Sequence, residues 1–329
     1  MENNILPEDL EEVINLLKTK NPKLTSGPQV KIFEEKWSQW LGCKYSVFVN
    51  SGSSSNLMAI SYLKLLYPNG GKIILPPLTW SSDVSSLLHM GFEPLFIDIR
   101  MENLAIDPNK LELILKKEAN VRALFLTHAQ GLNGLTELTI NLCDKYKITL
   151  IEDVCESHGV LLDSGKKAGT KGLISCFSFY YAHHMSTIEG GMVCTNDPKV
   201  YEILKMMRAH GLLREIDNKN IKNEYLENYP DLNPQFIFTL PGFNFRNNEI
   251  GALIGINQLK RLDTMIKKRV YNFEYFVKNL PNWAFKDFKL EGQSNYAFNL
   301  ILNEPDKELM KKLEDLLMLN KIEYRRGSA

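Results

Sequence analysis

This chain has no surplus of charge of either sign. Lys plus Arg number 39 and Asp plus Glu number 39 across 329 residues, so nothing electrostatic argues for nucleic acid or an anionic membrane as a partner. No apolar run approaches the roughly 20 residues that a membrane helix needs. Cysteine is sparse: there are five, Cys43, Cys143, Cys155, Cys176 and Cys194, and none forms a Cys-x-x-Cys pair. An odd count without ligand spacing argues against a disulfide framework, metal ligation or an iron–sulfur cluster held by this chain. It reads as buried thiols in a reducing cytoplasm. The opening Met-Glu-Asn-Asn-Ile-Leu-Pro-Glu-Asp does not have the form of a signal peptide. No internal repeat or low-complexity tract is visible.

What is present is an alternation of elements. The spacing of Val30, Phe33, Trp37 and Leu41 predicts a helix, with Gly42 as its stop. Tyr45–Val49, Lys72–Leu75, Pro94–Ile97, Ala123–Thr127 and Thr149–Glu152 read as strands. Helical stretches lie between them at Asn56–Tyr67, Ser81–Met90 and Leu135–Tyr146. This rhythm predicts a mostly parallel sheet with helices on both faces, whose ligands bind beyond the carboxyl ends of the strands. Pro198–His210 is helical. Gly211–Gly242 is polar, aromatic and weakly periodic, too long for an idle loop, and reads as a functional excursion or a partner-facing arm. Ile250–Lys278 reads as one long amphipathic connector. The expected division is a large domain over 1–250, a connector helix over 251–281 and a smaller α/β domain over 282–329. In the last, Tyr296–Leu302 and Ile322–Tyr324 are expected strands and Asp306–Asn320 a helix. The chain stops just after the second of these strands, which reads as a truncated small domain.

Five stretches carry chemistry. Asn50-Ser-Gly-Ser-Ser-Ser55 joins a strand to a helix N-terminus, where outward N–H groups and the helix dipole favour an anion; the plainer reading is an N-cap with a tight turn. Pro76-Pro-Leu-Thr-Trp-Ser81 places Trp80 at the carboxyl edge of the sheet, although core packing would also account for it. Ile151-Glu-Asp-Val-Cys-Glu-Ser-His-Gly159 puts Asp153 at a strand end; Glu152 and Glu156 could equally be solvated loop carboxylates, and His158 reads as structural. Ser175-Cys-Phe-Ser-Phe-Tyr-Tyr-Ala-His-His-Met-Ser-Thr-Ile-Glu-Gly-Gly-Met-Val193 reads as strand, polar turn and strand. Pro241-Gly-Phe-Asn-Phe-Arg-Asn-Asn-Glu-Ile-Gly-Ala252 reads as a turn before a helix.

In that order, these stretches resemble the motifs of the sugar-nucleotide aminotransferase family of pyridoxal-phosphate (PLP) enzymes, the DegT–DnrJ–StrS type. The resemblance runs from about Gly27-Pro28 to Glu249. It implies the aspartate aminotransferase-like fold type I and a homodimer with shared active sites. It also implies roles. Gly52, Ser53 and Ser178 would hold the cofactor phosphate, and Trp80 would stack on the pyridine ring. Asp153 would pair with the ring nitrogen and Glu156, where aminotransferases usually have Gln, would reach the phenolic oxygen. Asn244 would reach the phosphate of the neighbouring subunit's cofactor, beside the motif arginine Arg246. The family's covalent anchor is a lysine six positions before Glu-Gly-Gly. Here that position is His183, and no lysine lies between Lys171 and Lys199. An imidazole cannot anchor the aldehyde, but it moves protons near neutral pH. His184 reads as a packing or hydrogen-bonding residue.

The His-His pair and the Thr-Trp-Ser stretch resemble the histidine-containing, GDP-4-keto-6-deoxy-D-mannose 3-dehydratase-like branch. The implied activity is PLP/PMP-dependent removal of the 3-hydroxyl from a nucleotide-linked 4-keto-6-deoxy sugar, with glutamate or a reductase as co-substrate or partner. A sugar-nucleotide aminotransferase that has lost its lysine is the second reading. A silent PLP- or nucleotide-sugar-binding protein is the third, disfavoured because Asp153, Ser178 and Trp80 are all retained.

Overall fold

The computed structural model describes residues 4–327. The termini Met1–Asn3 and Ser328–Ala329, including the end of the Arg325–Ala329 stretch, lie outside the described residues. The strands are β1 (Tyr45–Val49), β2 (Lys72–Leu75), β3 (Glu93–Phe96), β4 (Val121–Thr127), β5 (Thr149–Asp153), β6 (Ile174–Ser178) and β7 (Gly191–Thr195). The helices are α1 (Pro7–Lys18), α2 (Pro28–Leu41), α3 (Gly52–Leu66), α4 (Ser81–His89), α5 (Pro108–Lys117), α6 (Glu137–Tyr146), α7 (Pro198–Arg208), α8 (Lys219–Asn228), α9 (Glu249–Leu259), α10 (Leu262–Lys278) and α11 (Lys307–Leu319).

The strands form one sheet in the order β1-β7-β6-β5-β4-β2-β3. β7 pairs antiparallel with both of its neighbours, and every other pairing is parallel. Both faces are covered, as a parallel sheet requires. Alternation along β4 makes this plain: Ala123 and Phe125 join the cluster under α3 and α7, while Leu124 and Leu126 join the cluster under α2.

Local chemistry sets the helix ends. Pro28 opens α2 at its first turn, and Gly42 closes it in the left-handed region at φ 87°. Asp107 and Asp197 cap α5 and α7, each just before a proline at N1. Trp37 of α2 is fully buried. Its ring lies 4.8 Å from that of Phe179, 5.2 Å from Phe177 and 5.5 Å from His158, so it ties α2 to the β6–β7 hairpin.

Three expectations need correction. The stretch Ile250–Lys278 is two helices, broken at Lys260–Arg261; α9 packs on α1 and α2, and α10 runs on beyond it. Neither Tyr296–Leu302 nor Ile322–Tyr324 forms a strand: among the described residues, one isolated bridge, Ala284 with Leu302, is all the β structure after residue 282. Their alternation is right, but no second strand lies alongside, and a strand without a partner leaves its backbone unpaired. Finally, Glu152 is not a solvated carboxylate. It is fully buried and accepts hydrogen bonds from the backbone N–H groups of Gly169, Lys171 and Gly172 and from His128 Nε2. The excursion Gly211–Gly242 holds α8, which buries none of its residues, and two short 3₁₀ turns.

Trp37→Ala is expected to lower unfolding free energy by about 3–5 kcal/mol, the range for emptying a large aromatic site. Urea denaturation measures it, and a loss below about 1 kcal/mol would show that α2 is held elsewhere.

Candidate active site

The parallel strands bring their carboxyl ends to one rim. Thr127 and Asp153 are partners across β4 and β5, and Asp153 and Cys176 across β5 and β6. A cavity of about 2640 Å³ opens beyond this rim. Small-ligand pockets usually hold about 300–1,000 Å³, so there is room here for a cofactor and a second, larger molecule.

One corner is the start of α3. Ser51 Oγ accepts from Ser54 N–H at 3.0 Å and Ser51 O accepts from Ser55 N–H at 3.1 Å. The amides of Gly52 and Ser53 are left without a partner in the helix. A Cβ on Gly52 would stand 2.5 Å from Ser178 Cβ, and one on Gly191 would stand 2.2 Å from Ser51 O. The two glycines therefore let the helix end press against the β6–β7 hairpin. Backbone N–H groups, a helix dipole and the Ser178 hydroxyl converge there, an arrangement suited to a phosphate.

Asp153 ends β5 with its side chain in the cavity wall. Its Oδ1 accepts from Cys155 N–H at 2.8 Å, and its Oδ2 from Asn56 Nδ2 at 3.1 Å. Glu156 Oε2 accepts from Gln130 N–H at 3.0 Å; burial, helped by the charge of Asp153, pushes its carboxyl up to about 7. Trp80 precedes α4 and is 48% exposed, an aromatic face left open to the cavity.

The β6–β7 loop carries His183. Its backbone N–H donates to Tyr180 O at 3.0 Å, and Ile188 further along sits at φ 71°, a strained value for a β-branched residue. His183 Nδ1 is buried without a partner, while the ring lines the cavity 5.4 Å from the Tyr296 ring. Burial, with the Arg269 guanidinium second, pushes His183 down to about 4 and His184 down to about 3. His183 is thus a neutral imidazole at neutral pH, able to accept a proton. His184 Nε2 pairs with Ser294 O at 3.1 Å, and His158 is packed against aromatic rings.

Gly52, Ser53, Trp80, Asp153, Glu156, Ser178 and His183 all line this one cavity. Asn244 does not: it bridges to Ala209 and accepts from Arg246 Nε at 3.0 Å, away from its own chain's cavity. Sequence reasoning missed Asn56, Asp83, Arg269 and Tyr296. Asp83 lay inside a recognised helix one turn after Trp80; nothing in the sequence pointed it at Asp153.

The chain matches the model of the DegT/DnrJ/EryC1/StrS aminotransferase family over residues 3–326. It belongs to this family. Within the family, GDP-4-keto-6-deoxy-D-mannose 3-dehydratase of Yersinia pseudotuberculosis is 36% identical over 304 residues, 88% of this chain and 75% of that protein. The structure of E. coli GDP-4-keto-6-deoxy-D-mannose-3-dehydratase with bound hydrated PLP superposes with a TM-score of 0.84 at 29% identity, over 100% of this chain and 84% of that one. A GDP-4-keto-6-deoxymannose-3-dehydratase with a trapped PLP-glutamate geminal diamine gives a TM-score of 0.83 at 30% identity, over 99% and 83% of the two chains. The residues of this family member fit PLP: the side-chain-free approach at Gly52 leaves two amides for a phosphate, and a carboxylate stands at the rim.

An unfolded histidine takes up a proton near pH ~6.5, whereas His183 and His184 resist protonation until about 4 and about 3. Below pH ~6.5 the unfolded state therefore binds more protons, and stability falls as pH drops toward 4. His184→Asn is expected to shallow this fall. Urea midpoints from pH 4.5 to 7.5 test it; parallel curves for parent and variant would contradict the assignment.

Proposed function

We propose that this protein is a PLP/PMP-dependent dehydratase that removes the 3-hydroxyl of a nucleotide-linked 4-keto-6-deoxy sugar. The observation that carries the reading is a neutral, cavity-facing imidazole at His183, where the family's anchoring lysine would stand. The amides of Gly52 and Ser53 and the hydroxyl of Ser178 hold the cofactor phosphate, and Trp80 stacks on the ring. Asp153 pairs with the ring nitrogen. Glu156, poised at about 7, can donate a proton to the phenolic oxygen. When bound, the pyridoxamine form supplies an amine that condenses with the 4-keto group and a ring that accepts an electron pair, so that the neighbouring hydroxyl can leave. His183 would serve as the base for the proton at the cofactor's aminomethyl carbon, using Nε2, since Nδ1 is buried without a partner. Burial keeps the ring unprotonated at neutral pH, so that nitrogen is available to accept a proton.

The nucleotide part of the substrate lies between the large domain and the segment from Trp283 to Gly327, both of which line the cavity. Glutamate restores the amine form; the trapped glutamate adduct in a relative supports this over a reductase partner. The working unit is a homodimer in which Asn244 completes the partner's site, which accounts for its position away from its own. Among the described residues no helix is long and apolar enough to cross a membrane, and we place the enzyme in the cytoplasm with its sugar-nucleotide substrate.

His183→Asn should keep the cofactor and lower formation of 3-deoxy sugar by about 10²–10⁴-fold, the usual contribution of a placed acid/base. Mass spectrometry of the products on a 4-keto-6-deoxy sugar nucleotide reads this directly. Deoxygenation by the variant at close to the parent rate would remove His183 as the base.

Asn244→Ala should weaken PMP binding by about 1.5–3 kcal/mol, the value of a hydrogen bond to a charged group. Fluorescence titration with sedimentation in parallel decides it. Unchanged affinity, or full activity in a proven monomer, would refute the shared site.

A further inference from the structure

Behind Asp153 lies a second carboxyl group that the mechanism above does not use. Asp83, from the first turn of α4, is as buried as Asp153, and one side-chain amide bridges the two: Asn56 Nδ2 lies against Asp83 Oδ1 and is 3.1 Å from Asp153 Oδ2. The other oxygen of Asp83 accepts from the hydroxyls of Thr79 and Thr127, the latter at 3.3 Å. No Lys, Arg or His among the described residues lies within ion-pair distance of either carboxyl. Two carboxylates this close, out of water and without a cation, cannot both ionise.

We propose that Asp83 is a positioning residue: it carries the one proton of the Asp83–Asp153 pair, leaving Asp153 as the fixed anion that meets the cofactor's ring nitrogen. This rests on the role given to Asp153 above. The geometry decides which partner keeps the proton. Asp153 lines the cavity, where the ring nitrogen would meet it, whereas Asp83 does not reach that lining and is raised in spite of its hydrogen bonds from Thr79 and Thr127. Asp83 is walled in behind it, and burial, then the charge of Asp153, raises its carboxyl well above the ordinary range. The titratable groups facing Asp83 are Asp153, Cys155 and Cys176; the thiols of both cysteines are pushed well up by burial and by the carboxyl pair, so they stay neutral. The proton of Asp83 thus stabilises Asp153 from the side opposite the cofactor. It also keeps a second negative charge from changing how strongly the ring nitrogen holds its own proton.

The sign of the pH effect follows. An unfolded aspartate loses its proton near pH ~3.9, whereas native Asp83 keeps it. The native protein holds the extra proton, so this group's contribution to stability declines as pH rises above ~4 and levels off above its raised native value.

The first test is isotope-edited infrared spectroscopy of the cofactor-free parent with ¹³C-labelled aspartate at pH 7. A neutral carboxyl band is expected; its absence would overturn the proposal without any variant having to fold. Asp83→Asn should abolish that band, remove this group's downward contribution so that the variant's urea midpoint gains on the parent's as pH rises from 5 to 8, and keep the PLP dissociation constant within about threefold. Asp83→Ala should weaken PLP tenfold or more and lower kcat while leaving KM for the sugar unchanged. A band that persists in Asp83→Asn, or an Asn variant as impaired as the Ala variant, would overturn the assignment. Asp153→Asn separates the two claims. If it binds PLP and turns over like the parent, the role of Asp153 fails even though the Asp83 band remains. If it is inactive and the parent has no band, only the Asp83 inference fails.

Discussion

The site depends on how closely the start of α3 approaches the β6–β7 hairpin. Gly52 and Gly191 stand where any side chain would collide, with Ser178 in one case and with the Ser51 carbonyl in the other. That contact fixes the two unpaired amides at the rim and sets the loop that carries His183 beside them. Trp37 supports the same hairpin from the opposite face through its contacts with Phe177 and Phe179. The loop between β6 and β7 can therefore hold a strained residue, Ile188, because the strands at both of its ends are locked by packing rather than by the loop itself.

The loop places its histidine where water is scarce and Arg269 is near, and both circumstances oppose protonation. Glu156 is moved in the opposite sense by the same burial. A neutral imidazole and a carboxyl able to hold a proton are thus produced together by burial in one cavity wall. In the function proposed above, a histidine at position 183 brings no amine that would compete for the cofactor's carbonyl.

Much of this was legible in the sequence because the relevant pieces are local. The helix at Val30–Leu41 with its Gly42 stop and the strand–turn–strand around His183 both appear where the apolar spacing puts them. So does the rim position of Asp153. Seven of the eight residues picked out from motifs line a single cavity, and the eighth, Asn244, stands apart from it. What the sequence concealed is contact between distant segments. Asn56, Asp83 and Asp153 come from α3, α4 and β5 and meet only once the sheet has formed. Arg269 reaches the histidines from α10. The strands expected after residue 282 failed for a related reason: alternation shows which side of a strand could be buried but says nothing about whether a partner lies alongside.

The buried Glu152 has a bearing on how the chain avoids misfolding. It neighbours Asp153, and a one-residue slip of β5 exchanges the faces of all its side chains. Slipped by one, the strand would still present a carboxylate to the cavity, with Glu152 in the place of Asp153. Ile151 would then occupy the slot that Glu152 holds now, facing the amides of Gly169, Lys171 and Gly172 with nothing to accept them. Three N–H groups, that of Gly169 buried and those of Lys171 and Gly172 partly so, would lose their acceptor at once. The short loop leading into β6 thus acts as a proofreader of register, rejecting a misaligned strand that the cavity itself would accept.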